Sequence, residues 1–427
     1  MSIRFKVQIL CLAILAGFSC ASHAQSAVSF GIASTPAQTG SHASKIAVLL
    51  PSKDSPYEHF TQAVVKGIQA INAQQREPAE IILLHKNYGQ SMQSQLQDAA
   101  LMGATIAIGP MVRDNVEEVS SLSFLPLPII ALNAPENGFA SPELMVNFAL
   151  SQEQEARQIV DIALKALPAT DAQGNPPKVM IFETVSPLEE RIANAFAAEL
   201  QARGVLFERQ RLTEELMAKP KFYEISDSAL TPPRLEELPN RVEDPYGYQR
   251  VKLRNERAMA RYRAKVEFEA PPYYAAFLAM DARTAAMVKP RLPRLTRVWG
   301  TSLINPGDTT QSFIASLTYD LQNTGFVDAP LVIDVNRQDF KAIYGVDMPQ
   351  NIIERRLFAF GVDAYRLANQ WMHWKPEFAV NGATGQLSFN QALTGDVQRQ
   401  AQPAMIRSGY VQRSTPEDMA RAIARPQ

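Results

Sequence analysis

The sequence predicts an α/β chain of two lobes, each a parallel sheet flanked by helices, and three observations carry that prediction. From Lys45 onward, short apolar runs of strand length alternate with amphipathic segments of ten or more residues, the pattern of βαβ units around a parallel sheet. The alternation pauses at a turn-rich loop, Asp171–Pro177, and restarts with KVMIFETV at Lys178, which divides the strands into two sets. The late stretch Arg356–Asn390 holds a broad apolar helix, then a glycine turn, then an alternating strand. Such a unit cannot bury its apolar side alone and must dock on earlier parts of the chain.

The first set of units runs in order. KIAVLLP (Lys45–Pro51) is a continuous apolar run, as expected of a strand buried on both faces. Ser55–Gln75 reads as a helix, with Ser55 available to cap, Pro56 suited to the first turn, and Phe60, Val64, Ile68 and Ile71 on one face. Strands at Glu80–Leu84, Thr105–Ile108 and Pro128–Leu132 then alternate with helices at Met92–Met102 and Val112–Leu122. Leu144–Leu150 is a fifth strand crossing into a second lobe, where Ser151 caps a helix with Glu153 and Gln154 near the capping-box position.

The second set follows Lys178. A helix at Ser186–Arg203 leads to strands at Val205–Arg209, Tyr273–Met280 and Arg297–Trp299, with a short helix at Ala282–Pro290. Asp320–Asp334 reads as a crossover back to the first lobe. In the closing stretch, Leu357, Phe360, Val362, Ala364, Tyr365 and Leu367 recur at helical steps, while Asp363 and Arg366 are placed to pair on a neighbouring face, worth a few tenths of a kcal/mol at about three residues' spacing. The expected organisation is thus a signal at 1–24, a leader at 25–44, lobe one at 45–150 with 320–413 returning to it, lobe two at 151–319, and a tail at 414–427 with a short exposed helix after Pro416.

Composition narrows the function. A net charge of −1 gives no basic field for nucleic acid, and none is expected as a partner. Residues 1–24 read as a secretory signal: Arg4 and Lys6, an apolar run from Ile9 to Phe18, then small residues before Gln25. That run is too short to span a bilayer, so cleavage near Ala24 would leave a soluble periplasmic chain with no transmembrane segment. Lipidation at Cys20 is the competing outcome, although Gly17 and Phe18 fit a lipidation signal poorly. Both cysteines, Cys11 and Cys20, lie in the signal, so the mature chain would carry no disulfide and no thiolate. Residues 25–44 are rich in Ser, Ala, Gly and Thr and read as a flexible leader.

No catalytic constellation is legible, and the chain is read as a non-enzyme with no cofactor. His23, His42, His59, His85 and His373 are scattered without metal-ligand spacing. Nucleophile elbow, Walker loop and dinucleotide fingerprint are all missing, and IGPM at 108–111 has one glycine, too few to cradle a pyrophosphate. Ligands of open parallel sheets meet the carboxyl ends of strands. That rule selects Ser52, Lys53, Asp54, Gly109, Pro110, Asn133, Thr184, Ser186, Asp281, Thr301 and Ser302 as cleft residues for a small polar ligand. The segment 213–272 is an insertion broken by Pro220, Pro232, Pro233, Pro239 and Pro245, within which Arg250–Lys265 reads as a helix with seven basic residues against Glu256. Its Arg254, Arg257 and Arg261 are candidates for a partner surface; Val251, Met259, Tyr262 and Val266 would pack its other side.

The helix AFGVDAYRLA (359–368) followed by GATGQLS (382–388) resembles the carboxy-terminal domain of the LppC-type lipoproteins. IAIGP (Ile106–Pro110), PIIALN (Pro128–Asn133), NFALSQEQEAR (Asn147–Arg157), Thr301-Ser302 and DLQNTGFVDAP (Asp320–Pro330) follow that family's pattern in the same order. The resemblance implies a two-lobed type I periplasmic-binding-protein-like fold. It also implies a secreted, non-catalytic regulator that activates a penicillin-binding protein, a peptidoglycan synthase, at the outer membrane. Two features depart from the family. No helical-repeat domain fits in residues 25–44, and Pro271-Pro272-Tyr273-Tyr274 stands where an acidic pair is expected. The rival reading of the same fold is a periplasmic solute-binding protein that delivers a small polar ligand to a transporter. ALNAPEN (131–137) lacks the Ser/Ala–Thr pattern of amino-acid receptors at that point.

Overall fold

A computed structural model of the chain describes residues 44–136, 141–171, 174–223, 231–269, 271–307, 312–334, 336–344, 349, 351–372, 377–390 and 395–421. The expected signal and leader, including Cys11, Cys20, His23 and His42, lie outside the described residues, as does His373. In chain order the strands are β1 Lys45–Leu50, β2 Glu80–His85, β3 Ile106–Ile108, β4 Ile129–Ala131, β5 Met145–Asn147, β6 Val179–Glu183, β7 Phe207–Arg211 and β8 Ala275–Ala279. They continue with β9 Arg297–Gly300, β10 Thr324–Asp328, β11 Glu377–Asn381, β12 Gln386–Asn390, β13 Gln398–Gln400, β14 Gln402–Arg407 and β15 Tyr410–Arg413. The first helices are α1 Glu58–Asn72, α2 Met92–Leu101, α3 Arg113–Ser120, α4 Gln152–Leu164, α5 Pro187–Ala202, α6 Glu214–Ala218 and α7 Pro245–Glu269. After them come α8 Ala282–Val288, α9 Ser312–Asp320, α10 Pro330–Ile333, α11 Gln338–Tyr344, α12 Ile352–Met372 and α13 Pro416–Arg421.

Two sheets form the two lobes. The first is wholly parallel in the order β2-β1-β3-β4-β5. Its interior strand β1 shows why a continuous apolar run was needed: Ile46, Val48 and Leu50 join the core that holds α1 and α12, while Ala47 and Leu49 join the one that holds α2 and α3. The second sheet runs β15-β14-β10-β9-β8-β6-β7, parallel from β10 to β7 and antiparallel at β14 and β15. Ile181, Phe277 and Trp299 face one core, Phe182, Leu278 and Val298 the other. A small antiparallel sheet, β11-β12-β13, packs its Phe378, Leu387 and Phe389 into the first lobe.

The closing helix is the spine of the first lobe. Phe358, Phe360, Val362, Leu367 and Trp371 of α12 are buried, and the Phe360 ring lies 4.6 Å from that of Phe148. α12 crosses α1 at two glycines. A Cβ on Gly67 would sit 2.1 Å from the Phe358 carbonyl oxygen, and one on Gly361 2.0 Å from that of Val64. No other residue permits that approach.

Several expectations change in three dimensions. Asp320–Asp334 is not simply a crossover: it contains β10, an interior strand of the second sheet, before α10 returns to the first lobe. The return of 320–413 to lobe one is therefore partial, since β14 and β15 also belong to the second sheet. The tail helix α13 is not merely exposed, because Met419 is fully buried in the second lobe's core. The hairpin turn before Gln386 is fixed by Asp363, which is itself fully buried rather than on a solvated face. Its carboxylate accepts bonds from the backbone N–H of Ala383 (2.8 Å) and Thr384 (2.7 Å), the Thr384 hydroxyl (2.6 Å) and Arg366 (3.0 Å). Gly382 is required beneath it, since a Cβ there would lie 2.3 Å from the carboxylate.

The position of Phe360 makes a direct test. Truncation to alanine is expected to cost about 3–5 kcal/mol in denaturant unfolding, and a loss below about 1 kcal/mol would put the ring outside the core.

Candidate functional site

The chain passes between the two lobes three times: from β5 to α4, from β10 to α10, and from β13 to β14. Each passage is held by buried polar groups, because strands leaving a sheet expose backbone that must find partners. Asn147 at the first passage pairs by backbone with the segment leading into β13, its N–H donating to the Gly395 carbonyl and its carbonyl accepting from Val397, both at 2.8 Å. Its side chain donates to Asp396 at 2.8 Å. Glu155, one turn into α4, is 4 % exposed in its side chain and binds Arg399, 1 % exposed, at 2.6 Å. Glu155 also accepts the Ser302 N–H at 2.8 Å, and Arg399 donates to the Thr384 carbonyl at 3.2 Å. At the second passage Asp328 takes both arms of the Arg356 guanidinium at 2.8 and 2.7 Å, with Asn305 donating at 2.7 Å. Arg356 reaches on to the Ser302 carbonyl at 2.8 Å. Burial works against the Arg356 charge, yet Asp328, with Glu155 behind it, holds its pKa above the usual arginine value.

Between the lobes lies a cavity of about 510 Å³. Arg113, Asn133 and Glu136 reach it from the first lobe, Glu153, Arg157 and Arg191 from the second. Several of its charges pair with each other. Glu136 accepts from Arg113 and lies 3.8 Å from Arg191 across the opening, and Arg191 binds Glu153 at 3.0 Å. Burial pushes the Glu153 carboxyl up, but the Ser151 hydroxyl and Arg191 outweigh it and hold the group below the usual carboxylate range. The cleft is thus bridged by its own side chains.

Most of the strand-end residues serve the fold at the places where they fall. Asn133 lines the cavity and donates to the Met111 carbonyl at 3.2 Å. Ser52, Lys53 and Asp54 form the turn after β1, closed by Ser55 N–H on the Ser52 carbonyl at 2.9 Å. Gly109 and Pro110 are buried against β4, with the Gly109 N–H on Ile130 and the Leu132 N–H on Pro110. Thr184, Ser186 and Asp281 surround Glu189: the Thr184 hydroxyl donates to it, Asp281 N–H reaches it at 3.3 Å, and Ser186 N–H donates back to Thr184. Asp281 also caps α8. Thr301 and Ser302 are buried, and Ser302 belongs to the polar network at the passages rather than to the open cleft. Sequence reasoning did not single out Glu155, Asp328, Arg356 or Arg399 as site residues. Glu155 and Asp328 nevertheless lie inside NFALSQEQEAR and DLQNTGFVDAP, the signatures that carry the resemblance. On the insertion Arg254, Arg257 and Arg261 are all exposed, and Arg254 is paired with Glu236 at 2.7 Å.

A family model described as "LppC putative lipoprotein" matches residues 34–205 and 272–409, well over half of the chain. The chain belongs to this family. The penicillin-binding protein activator LpoA of Edwardsiella piscicida is 29 % identical over 332 residues, covering 73 % of this chain and 43 % of the relative. The chain therefore spans less than half the length of that relative. Full-length LpoA from Haemophilus influenzae superposes with a TM-score of 0.62 at 17 % identity, over 87 % of this chain and 59 % of that one. A structure described as a "putative branched-chain amino acid ABC transporter" from Chromobacterium violaceum superposes at 0.60 and 21 % identity, over 85 % and 99 %. Likeness at these identities is of fold, and it makes the two lobes those of a type I periplasmic-binding-protein-like domain. Among the described residues no helix is long and apolar enough to cross a membrane, and no cluster of three or more His, Cys, Asp or Glu is placed to hold a metal ion.

The buried pair gives a sharp expectation. Glu155→Ala strands Arg399 without its carboxylate and should cost about 3–5 kcal/mol in unfolding free energy. The double replacement Glu155→Met with Arg399→Met should lose markedly less than the two single losses summed. Additive losses would mean that the two side chains do not act as a unit.

Proposed function

We propose that this chain is a non-catalytic regulator that activates a penicillin-binding protein and stimulates peptidoglycan synthesis by protein–protein contact. Membership of the LppC family carries the reading, supported by relatives named as penicillin-binding protein activators. Stimulation by contact needs only that the chain bind one conformation of the synthase better than another and so shift its population. A transport receptor must instead close its two lobes on a ligand. The Glu136–Arg191 contact across the cleft supports the first of these, because it links the two lobes without a ligand between them.

The test pairs two measurements. Purified synthase should make glycan strands faster with the chain present, and Asn133→Ala should leave that stimulation intact. Melting of the chain with amino acids, small peptides and muropeptides should show no shift, where a true ligand at a hundredfold excess over its Kd would add about 2.7 kcal/mol. A clear shift with one compound, abolished by Asn133→Ala, together with no stimulation of any synthase, would return the protein to the solute-binding class.

The same proposal places the chain in the periplasm or at the outer membrane. Its finer form is export by residues 1–24 with cleavage near Ala24. Intact-mass measurement of the exported protein checks this: a mature start at Gln25 is expected, and an acylated amino-terminal Cys20 would overturn it in favour of the lipoprotein form.

A further inference from the structure

The family match breaks off at residue 205 and resumes at 272, and the intervening segment contains the longest helix among the described residues, α7. The second sheet takes β7 from this segment but has no strand from α7 or from the segment's other described residues after Arg211. β6 pairs directly with β8 and with β7, so the sheet closes on either side of the insertion. Yet the insertion is built as a structured arm. At 25 residues α7 is roughly 37 Å long. The extended segment before it is tied on by Asn255, which donates to the Glu236 carbonyl at 2.7 Å and accepts the Glu236 N–H at 3.0 Å. Arg254 binds the Glu236 carboxylate at 2.7 Å, and Asp244 caps the helix through the Gly247 N–H at 2.8 Å. Val251 and Val266 are buried on the inner side.

The opposite side of α7 is uncovered. Tyr246, Arg250, Leu253, Arg257 and Arg261 follow one another at steps of three and four residues and so share one face. All five are exposed, Tyr246 at 88 %. Arg250, Arg257 and Arg261 have no ion-pair or hydrogen-bond partner among the described residues. Glu256 points off this face, 3.9 Å from Lys252. The face is therefore a row of three unpaired guanidinium groups flanked by a tyrosine and a leucine, with no carboxylate among them.

We propose that this face of α7 docks onto an acidic, carboxylate-bearing surface patch of the synthase that the chain activates. The inference rests on the reading of the preceding subsection and adds the contact surface. Guanidinium groups bind carboxylates through two parallel hydrogen bonds, which lysine cannot do. Arginine and tyrosine are also the residues that most often dominate protein–protein interfaces. A lipid surface fits the face less well. Interfacial helices carry a broad apolar side with Trp, Phe or several Leu, and here Tyr246 and Leu253 stand alone among the arginines.

The experiment measures the Kd of the full chain for purified penicillin-binding proteins of its own organism by biolayer interferometry, at low and high salt. Arg250→Glu, Arg257→Glu and Arg261→Glu are combined in one variant, and the milder Arg250→Gln, Arg257→Gln, Arg261→Gln in a second. A control carries the same charge change at exposed residues elsewhere: Lys66→Glu, Arg76→Glu and Lys165→Glu. Circular dichroism checks that each variant is folded. Because the arginines lie on the outer face, both are expected to keep the wild-type helix content. Reversal should weaken binding by about tenfold or more and flatten its salt dependence. Neutralisation should give a smaller loss, and the control should stay within about twofold of wild type. Equal losses in the variant and the control would overturn the proposal, since charge at any position would then matter. Unchanged synthase binding in both arginine variants would also overturn it, while leaving the activator reading in place. So would binding to phosphatidylglycerol vesicles that the substitutions abolish while synthase binding persists. A wild-type chain that binds no synthase sinks the activator reading and the docking face together.

Discussion

Two buried ion pairs, Glu155–Arg399 and Asp328–Arg356, hold the three passages between the lobes in one place. Three of the four charged groups are buried and Arg356 is mostly so; taking such groups out of water costs several kcal/mol per ion, repaid only where geometry is good and the remaining polar atoms are satisfied. Here that condition is largely met. Ser302 supplies an N–H to Glu155 and a carbonyl to Arg356, so a single residue after β9 links the two pairs. Asp328 takes both arms of its arginine. The three passages thus converge on a shared polar core, and the angle between the lobes is set by groups that cannot be parted singly without leaving a buried charge exposed to an apolar surround.

The same economy shapes the first lobe. Asp363 sits on the helix that crosses α1 at Gly67 and Gly361, and it gathers the N–H groups of the turn before β12. A helix–glycine-turn–strand unit of this kind docks by two devices at once. Small residues let the backbones approach, and one buried carboxylate satisfies the turn that would otherwise carry unpaired donors. The Thr384 carbonyl then accepts from Arg399, so this unit is joined to the inter-lobe network rather than merely packed beside it.

What this means for function is a division of labour. The cleft is crossed by a contact between its own charges, Glu136 and Arg191, and most of the strand-end residues cap helices or close turns. The outer surface instead carries the feature least explained by the fold, the long helix α7 inserted between β7 and β8 without adding a strand to the sheet. This arrangement is what the proposed action through the exterior would require.

The alternation of apolar runs with amphipathic segments was enough to determine the class of fold, because side-chain period and chain direction are set by residues within one or two turns of each other. The quality of α12 as a core helix, the capping of α4 by Ser151, and the family signature in AFGVDAYRLA and GATGQLS were likewise legible for local reasons. The tertiary structure decided what depends on distant encounters. Arg399 meets Glu155 across 244 residues, and no local pattern marks either as buried. Asp363 could be paired with Arg366 from spacing alone, but only the path of the later hairpin brought the N–H groups of Ala383 and Thr384 onto it and took it out of water. For the same reason Arg254, still half exposed, is paired with Glu236, whereas Arg250 has no partner among the described residues. Local sequence fixes which residues can point inward or outward; which charges are neutralised is fixed by the route of the whole chain.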